Sequence, residues 1–130
     1  MRGGTKISRI SVRAARPDSL FDETGRPRVD LLKIDVEKHE HAVVAGMQKR
    51  LAKDGPVVLI EVLKSEIGWA IARLMRGPDY SLFAIDQARG LVETNKLGSE
   101  ESRNYLLCRS EQWERPGARV LEALGPDSAV

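Results

Sequence analysis

The side chains of this chain that could do chemistry gather at the ends of two apolar runs. Val29-Asp30-Leu31-Leu32-Lys33-Ile34 leads into Asp35-Val36-Glu37, and Pro56-Val57-Val58-Leu59-Ile60 leads into Glu61. Short, nearly continuous runs of this kind suit strands covered on both faces of a parallel sheet. In an open parallel sheet, ligands bind beyond the carboxyl ends of the strands. If 29–36 and 56–62 are neighbours, Asp35, Glu37 and Glu61 converge on one rim. Like charges held close raise at least one carboxyl pKa, which makes a general base or a metal ligand. The plainer reading is that Glu37 and Glu40 favour the start of the following helix by roughly a few tenths of a kcal/mol, with Glu61 a solvated strand end.

Other candidates are weaker. Asp35, Glu37, His39 and His41 alternate like a metal cluster, but the helical pattern begins near residue 38. On a helix His39 and His41 diverge by about 200°, so the spacing predicts a surface His41 and no shared metal. No HExxH or CxxC spacing occurs. Cys108 lies beside Leu106 and Leu107 with nothing basic to activate it, and reads as a core thiol. Trp69 and Trp113 read as packing residues. Gly3-Gly4 lacks the strand before and the helix after that a phosphate-cradling loop requires.

The elements that position these groups follow from periodicity. Ile10 and Val12 alternate with polar neighbours and predict a half-exposed strand over 8–14. Pro17-Asp18-Ser19 opens a short helical turn that ends in the loop 24–27. Val43, Val44, Met47 and Leu51 form one helical stripe, predicting a helix over 38–53 with Lys49, Arg50 and Lys53 in its last turn and Gly55-Pro56 as its stop. Ser65 is positioned to cap a helix reaching Arg76, with Ile67, Ile71, Leu74 and Met75 inward and Gly77-Pro78 after it. Strands follow at 80–85 and 103–108, with 91–93 as a short hairpin partner. Residues 111–130 read as a loose tail with one weak helix over 118–124. Strand, helix, strand, helix, strand predicts an α/β fold with a mostly parallel sheet, right-handed crossovers and an antiparallel edge from the late strands.

Composition narrows the class. At 130 residues, with 42% hydrophobic and 31% charged residues, the chain has the size and balance of one folded domain. A net charge of +2, scattered basic residues and only 5% aromatics argue against nucleic acid as a partner. A single cysteine excludes an internal disulfide framework and fits a reducing compartment. No apolar run approaches the roughly 18 residues a membrane span needs, and the N-terminus has no signal-peptide pattern. The expected location is the cytoplasm.

The run Leu32-Lys33-Ile34-Asp35-Val36-Glu37, followed by His39-Glu40, resembles the signature of the FkbM family of S-adenosylmethionine-dependent methyltransferases, in which a Lys-Ile-Asp-Val-Glu-Gly-x-Glu segment ends a central strand. The resemblance continues through Gly46, Pro56–Val62, Tyr80–Phe83 and Asn104–Leu106, so that residues 8–110 match in order. It implies a Rossmann-like methyltransferase fold that moves a methyl group to a hydroxyl, on a sugar or another small molecule. By position, Asp35 and Glu37 would line the pocket where cofactor and acceptor meet, Asp35 touching the cofactor as well, and Glu61 would sit on the neighbouring rim. A rim carboxylate would accept the hydroxyl proton or hold the nucleophile in line. The family glycine after Val-Glu is Lys38 here, where glycine would allow positive φ. The family's glycine-rich cofactor turn lies upstream of this segment. The resemblance therefore implies a C-terminal half of the fold, residues 1–110, that is inactive alone.

Three readings follow. One is a truncated methyltransferase. The second is a non-catalytic half-domain that docks onto a partner chain, or onto itself, through the sheet edge beside 29–36, which would otherwise stay open. The third is a divergent enzyme holding a metal on Asp35, Glu37 and Glu61.

Overall fold

The apolar run predicted as the first buried strand is the edge strand of a five-stranded sheet. In the computed structural model, which describes residues 3–112, β1 (Leu31–Ile34) pairs in parallel with β2 (Val57–Glu61), with Ile34 opposite Ile60. β3 (Tyr80–Asp86) and β4 (Gly90–Thr94) form a hairpin, and β5 (Asn104–Arg109) inserts between β2 and β3, antiparallel to both. The order is β1-β2-β5-β3-β4. β1, β2 and β3 thus point the same way, but only one neighbouring pair is parallel, and the expectation of a mostly parallel sheet is corrected. The reason is the last connection: β5 returns without a helix and takes the place beside β2 that β3 would have filled.

Alternation sorts the side chains onto two faces. Ile34, Val58, Ile60, Leu82, Tyr105 and Leu107 share one buried cluster with Val44, Met47, Leu51, Ile71 and Met75 of the helices. The other face is covered unevenly: Phe83 and Cys108 are buried, while Leu31 and Ile85 remain 63% and 39% exposed. α4 (Ser65–Arg76) ends where predicted, with Ile71 and Met75 buried. Ser65 is its first residue rather than its cap, the cap position being Lys64, which makes no side-chain capping bond. Gly68 lets α4 meet the 95–103 loop, because a Cβ there would collide with the Leu97 carbonyl. Tyr105 fastens that loop from beneath: its hydroxyl donates to the Ser102 carbonyl at 2.6 Å and accepts from the amide of Gly98 at 2.9 Å.

The single helix expected over 38–53 is two, α2 (Glu40–Ala45) and α3 (Gln48–Asp54), broken at Gly46-Met47. The break accommodates α1 (Pro17–Thr24). Pro17 lies against Gly46, and the Asp18 amide donates to the Gly46 carbonyl at 3.0 Å. The Asp18 carboxylate accepts the amides of Lys49 and Arg50 at 2.9 and 3.0 Å, satisfying orphan donors at the start of α3 from a distant element. Arg50, expected in the last turn of a single helix, lies near the start of α3 and is 4% exposed: it pairs with Asp22 at 3.2 Å and Asp54 at 3.5 Å and lies over the Phe21 ring. Lys49, followed by Arg50, holds the Asp22 carboxyl below the usual range. Asp54 in turn accepts the Val29 amide at 3.0 Å, so this network also fixes the approach to β1. At the far end of α3, the Arg109 guanidinium of β5 donates to the carbonyls of Leu51 and Ala52.

Upstream of α1 the expected strand over 8–14 does not form. Residues 3–16 take no regular structure, and Ile7, Ile10 and Val12 are 87%, 85% and 81% exposed. Alternation gives one apolar face, but a strand also needs a neighbour, and among the described residues none lies beside this segment. The expected tail helix over 118–124, with Trp113 and the rest of the tail beyond Gln112, lies outside the described residues. Replacing Asp18 with Ala withdraws two charge-assisted bonds at once; the expected loss is about 1–2 kcal/mol of unfolding free energy, measured by urea denaturation.

Candidate functional site

Because Ile34 faces Ile60 across the parallel pair, the residues that follow, Asp35 just past β1 and Glu61 at the end of β2, lie side by side. Both line one cleft of about 310 Å³ together with Lys33, Leu59, Ile85 and Asn104. Parity accounts for most of the lining, which Ile34, Ile60 and Tyr105 of the core-facing set complete. Lys33 and Asp35 are two apart, as are Leu59 and Glu61, and Asn104 is the register partner of Glu61. The cleft therefore opens on the sheet face opposite the helices, at the carboxyl rim of β1 and β2. It combines two acceptor carboxylates, an amide, a cation and an apolar floor, which suits a neutral, hydroxyl-bearing molecule better than a second anion.

Glu37 does not line this cleft. It is exposed at φ 42°, and Lys38 follows at φ 69°. Two successive left-handed residues turn the chain from β1 into α2, each costing on the order of 1 kcal/mol for a side chain other than glycine. Lysine thus occupies the conformation that the resemblance associates with glycine. Three carboxylates were expected at the rim; two share the cleft and the third stands on the turn beside it.

Glu40 was expected to be no more than a favourable charge at a helix start. It is 3% exposed, and its Oε1 accepts the Lys38 amide at 3.0 Å while its Oε2 is buried without a hydrogen-bond partner among the described residues. His39 is exposed, whereas His41, expected at the surface, is half-buried with its Nδ1 enclosed and unpartnered among the described residues. Among the described residues no group of three or more His, Cys, Asp or Glu is placed to hold a metal ion. Lys33 and Asn104 were missed. The period-2 step from Asp35 back to Lys33 was present in the sequence, but Asn104 enters only through β5, whose place beside β2 no local pattern announces.

Trp69, expected to pack inward, is 65% exposed, with the Arg73 guanidinium over its ring at 4.9 Å. Cys108 is buried at 3% exposure, and burial pushes its thiol up to about 11. Among the described residues no helix is long and apolar enough to cross a membrane.

A mixed α/β sheet of five strands, mostly antiparallel with one parallel pair, is consistent with a methyltransferase-like fold. The family model of the methyltransferase FkbM domain matches residues 2–101, and the chain belongs to that family. No curated protein and no solved structure matches it. The family generally uses S-adenosylmethionine. The Asp35–Glu61 cleft does not by itself offer the backbone approach that this cofactor needs. Its amino acid and nucleoside ends require close backbone approach, which glycine permits. Here the space beside Gly68 and Gly98 is filled by the carbonyls of Leu97 and Lys64, and the cleft has no glycine on its wall.

Because only the thiolate reacts, Cys108 is expected to resist iodoacetamide in the folded chain at pH 8, to become reactive as the pH nears its raised value of about 11, and to react at once in denaturant. Mass spectrometry of the alkylated protein measures this; rapid labelling of the folded chain at pH 8 would show the thiol to be accessible.

Proposed function

We propose that this chain supplies the acceptor side of an FkbM-type methyltransferase acting on a hydroxyl of a sugar or similar small molecule, and that it corresponds to the C-terminal half of a Rossmann-like methyltransferase fold spanning residues 1–110. The observation that carries the reading is the shared cleft of Asp35 and Glu61 at the ends of two adjacent parallel strands, in a chain of this family. In it a rim carboxylate accepts a hydrogen bond from the acceptor hydroxyl and then its proton, while the second carboxylate and Asn104 orient the sugar-like ring. Asp35 is the rim residue closest in role to the cofactor, and Glu37 guards the mouth from the turn. S-adenosylmethionine supplies the methyl group. Its glycine-rich site is not formed by these residues, so the chain alone is inactive. The expected setting is the cytoplasm.

A second reading, that of a non-catalytic half-domain, is favoured by one feature. β1 pairs only with β2, which leaves its outer edge without a strand among the described residues, and Leu31 beside it is 63% exposed. Such an edge is a template for a strand from a partner chain or a second copy. Calorimetric titration of S-adenosylmethionine into the 130-residue chain tests the first reading: no binding tighter than about millimolar is expected, which corresponds to only about −4 kcal/mol. Micromolar binding would show a cofactor site that these residues complete unaided. Size-exclusion chromatography addresses the second reading. Association is expected if the edge recruits strands, and a monomer with cooperative unfolding would count against it.

A further inference from the structure

We infer that Glu40 is a positioning residue of the carboxylate rim: its buried carboxylate holds the left-handed turn at Glu37-Lys38, and with it the place where Asp35 and Glu37 leave β1. The inference rests on the acceptor-side reading only for what the rim is used for; the turn and its fastening stand apart from it.

The chain leaves β1 after Ile34 and enters α2 at Glu40, so residues 35–39 make the whole reversal. Two of them sit at positive φ without being glycine. Left to itself such a pair relaxes toward extended or right-handed backbone, because in each the Cβ crowds the following carbonyl. Something must fasten it, and the bond across the turn is the one from the Lys38 amide to Glu40 Oε1, 3.0 Å long. An amide donating to a carboxylate makes a stronger bond than one donating to a neutral acceptor.

Burial distinguishes this role from an ordinary charge at a helix start. A glutamate that only favours the N-terminus of a six-residue helix does so from solvent, where its charge stays hydrated. Glu37, one turn earlier, lies in solvent in that way. Glu40 is instead 3% exposed, with Oε2 enclosed and unpartnered among the described residues. A buried orphan oxygen is a standing cost. The fold bears it because the other oxygen fixes the turn. Lys38 sharpens the dependence. With glycine at this position the left-handed conformation has no Cβ penalty and the turn would largely hold itself; with lysine, the carboxylate carries more of the burden.

Amide hydrogen exchange by NMR on the ¹⁵N-labelled 130-residue chain tests this. Glu40→Ala should speed exchange of the Lys38 amide about tenfold or more, and shift the Asp35, Val36 and Glu37 resonances, while the core amides of Ile60 and Leu107 keep their rates. Glu40→Gln, which keeps an acceptor oxygen, should retain most of the Lys38 protection. Adding Lys38→Gly to Glu40→Ala should bring the Asp35–Glu37 resonances back toward their original positions. Should Glu40→Ala not fold, Glu40→Asp provides the comparison, because the shorter side chain withdraws the acceptor from the Lys38 amide. An unchanged Lys38 rate, a Gln variant as disturbed as the Ala variant, or loosening spread evenly over the core would each overturn the inference. None of these readouts involves methyl transfer or cofactor binding, so the outcome leaves the methyltransferase reading to its own test.

Discussion

The register between β1 and β2 is the constraint on which the site depends. Ile34 faces Ile60, both are buried on the helix side, and everything at the rim follows from that one pairing. Side chains alternate along each strand, so fixing two isoleucines in the core places Lys33 and Asp35, and Leu59 and Glu61, on the opposite face. A slip by one residue would drive Lys33 and Asp35 toward the apolar cluster and Ile34 into solvent. The burial of Ile34 and Ile60 therefore holds the two carboxylates together. Hydrophobic burial does the positioning, and the polar groups are carried along by backbone geometry.

That register is fixed from both ends. Where β1 begins, the Val29 amide donates to Asp54, which also pairs with the buried Arg50, and Arg50 reaches Asp22 of α1. Where β1 ends, the left-handed pair Glu37-Lys38 turns the chain directly into α2. A buried ion network of this kind adds little net stability against a hydrophobic substitute, but breaking one partner strands the other charge. Its contribution here is alignment: it ties α1, α3 and the entry to β1 into one unit, so the edge strand is held even though it has a neighbour on only one side.

Much of this was legible in the sequence and some was not, for identifiable reasons. Strand runs 29–36 and 56–62 and helix 65–76 are strongly patterned, and β1, β2 and α4 form within them because their apolar residues have a common core to enter. The two rim carboxylates were likewise readable from strand ends. What failed in each case was a signal that depends on a partner distant in the chain. The 38–53 stripe concealed its break because the cause is Pro17 and Asp18, nearly thirty residues earlier. Arg50 was read as a last-turn cation, and its burial against α1 was hidden for the same reason. Segment 8–14 alternates correctly but has no strand beside it among the described residues. The parallel count failed because β5, not β3, lies next to β2, and no local property of Asn104–Arg109 says which gap it fills.

Lys38 shows how family ancestry and local physics meet. The resemblance to the FkbM signature associates this position with glycine, and here the backbone keeps positive φ with lysine. If the turn were a neutral connection, lysine would be free to relax it, since a left-handed lysine and a buried glutamate are both unfavourable taken singly. They persist together because the alternative is worse: straightening the turn would carry Asp35 and Glu37 away from the rim and pull α2, with Val44, out of the core it seals. The apolar cluster thus enforces a strained turn from one side while the Glu40 carboxylate fastens it from the other. The geometry at the rim survives the loss of the residue type that makes it cheapest.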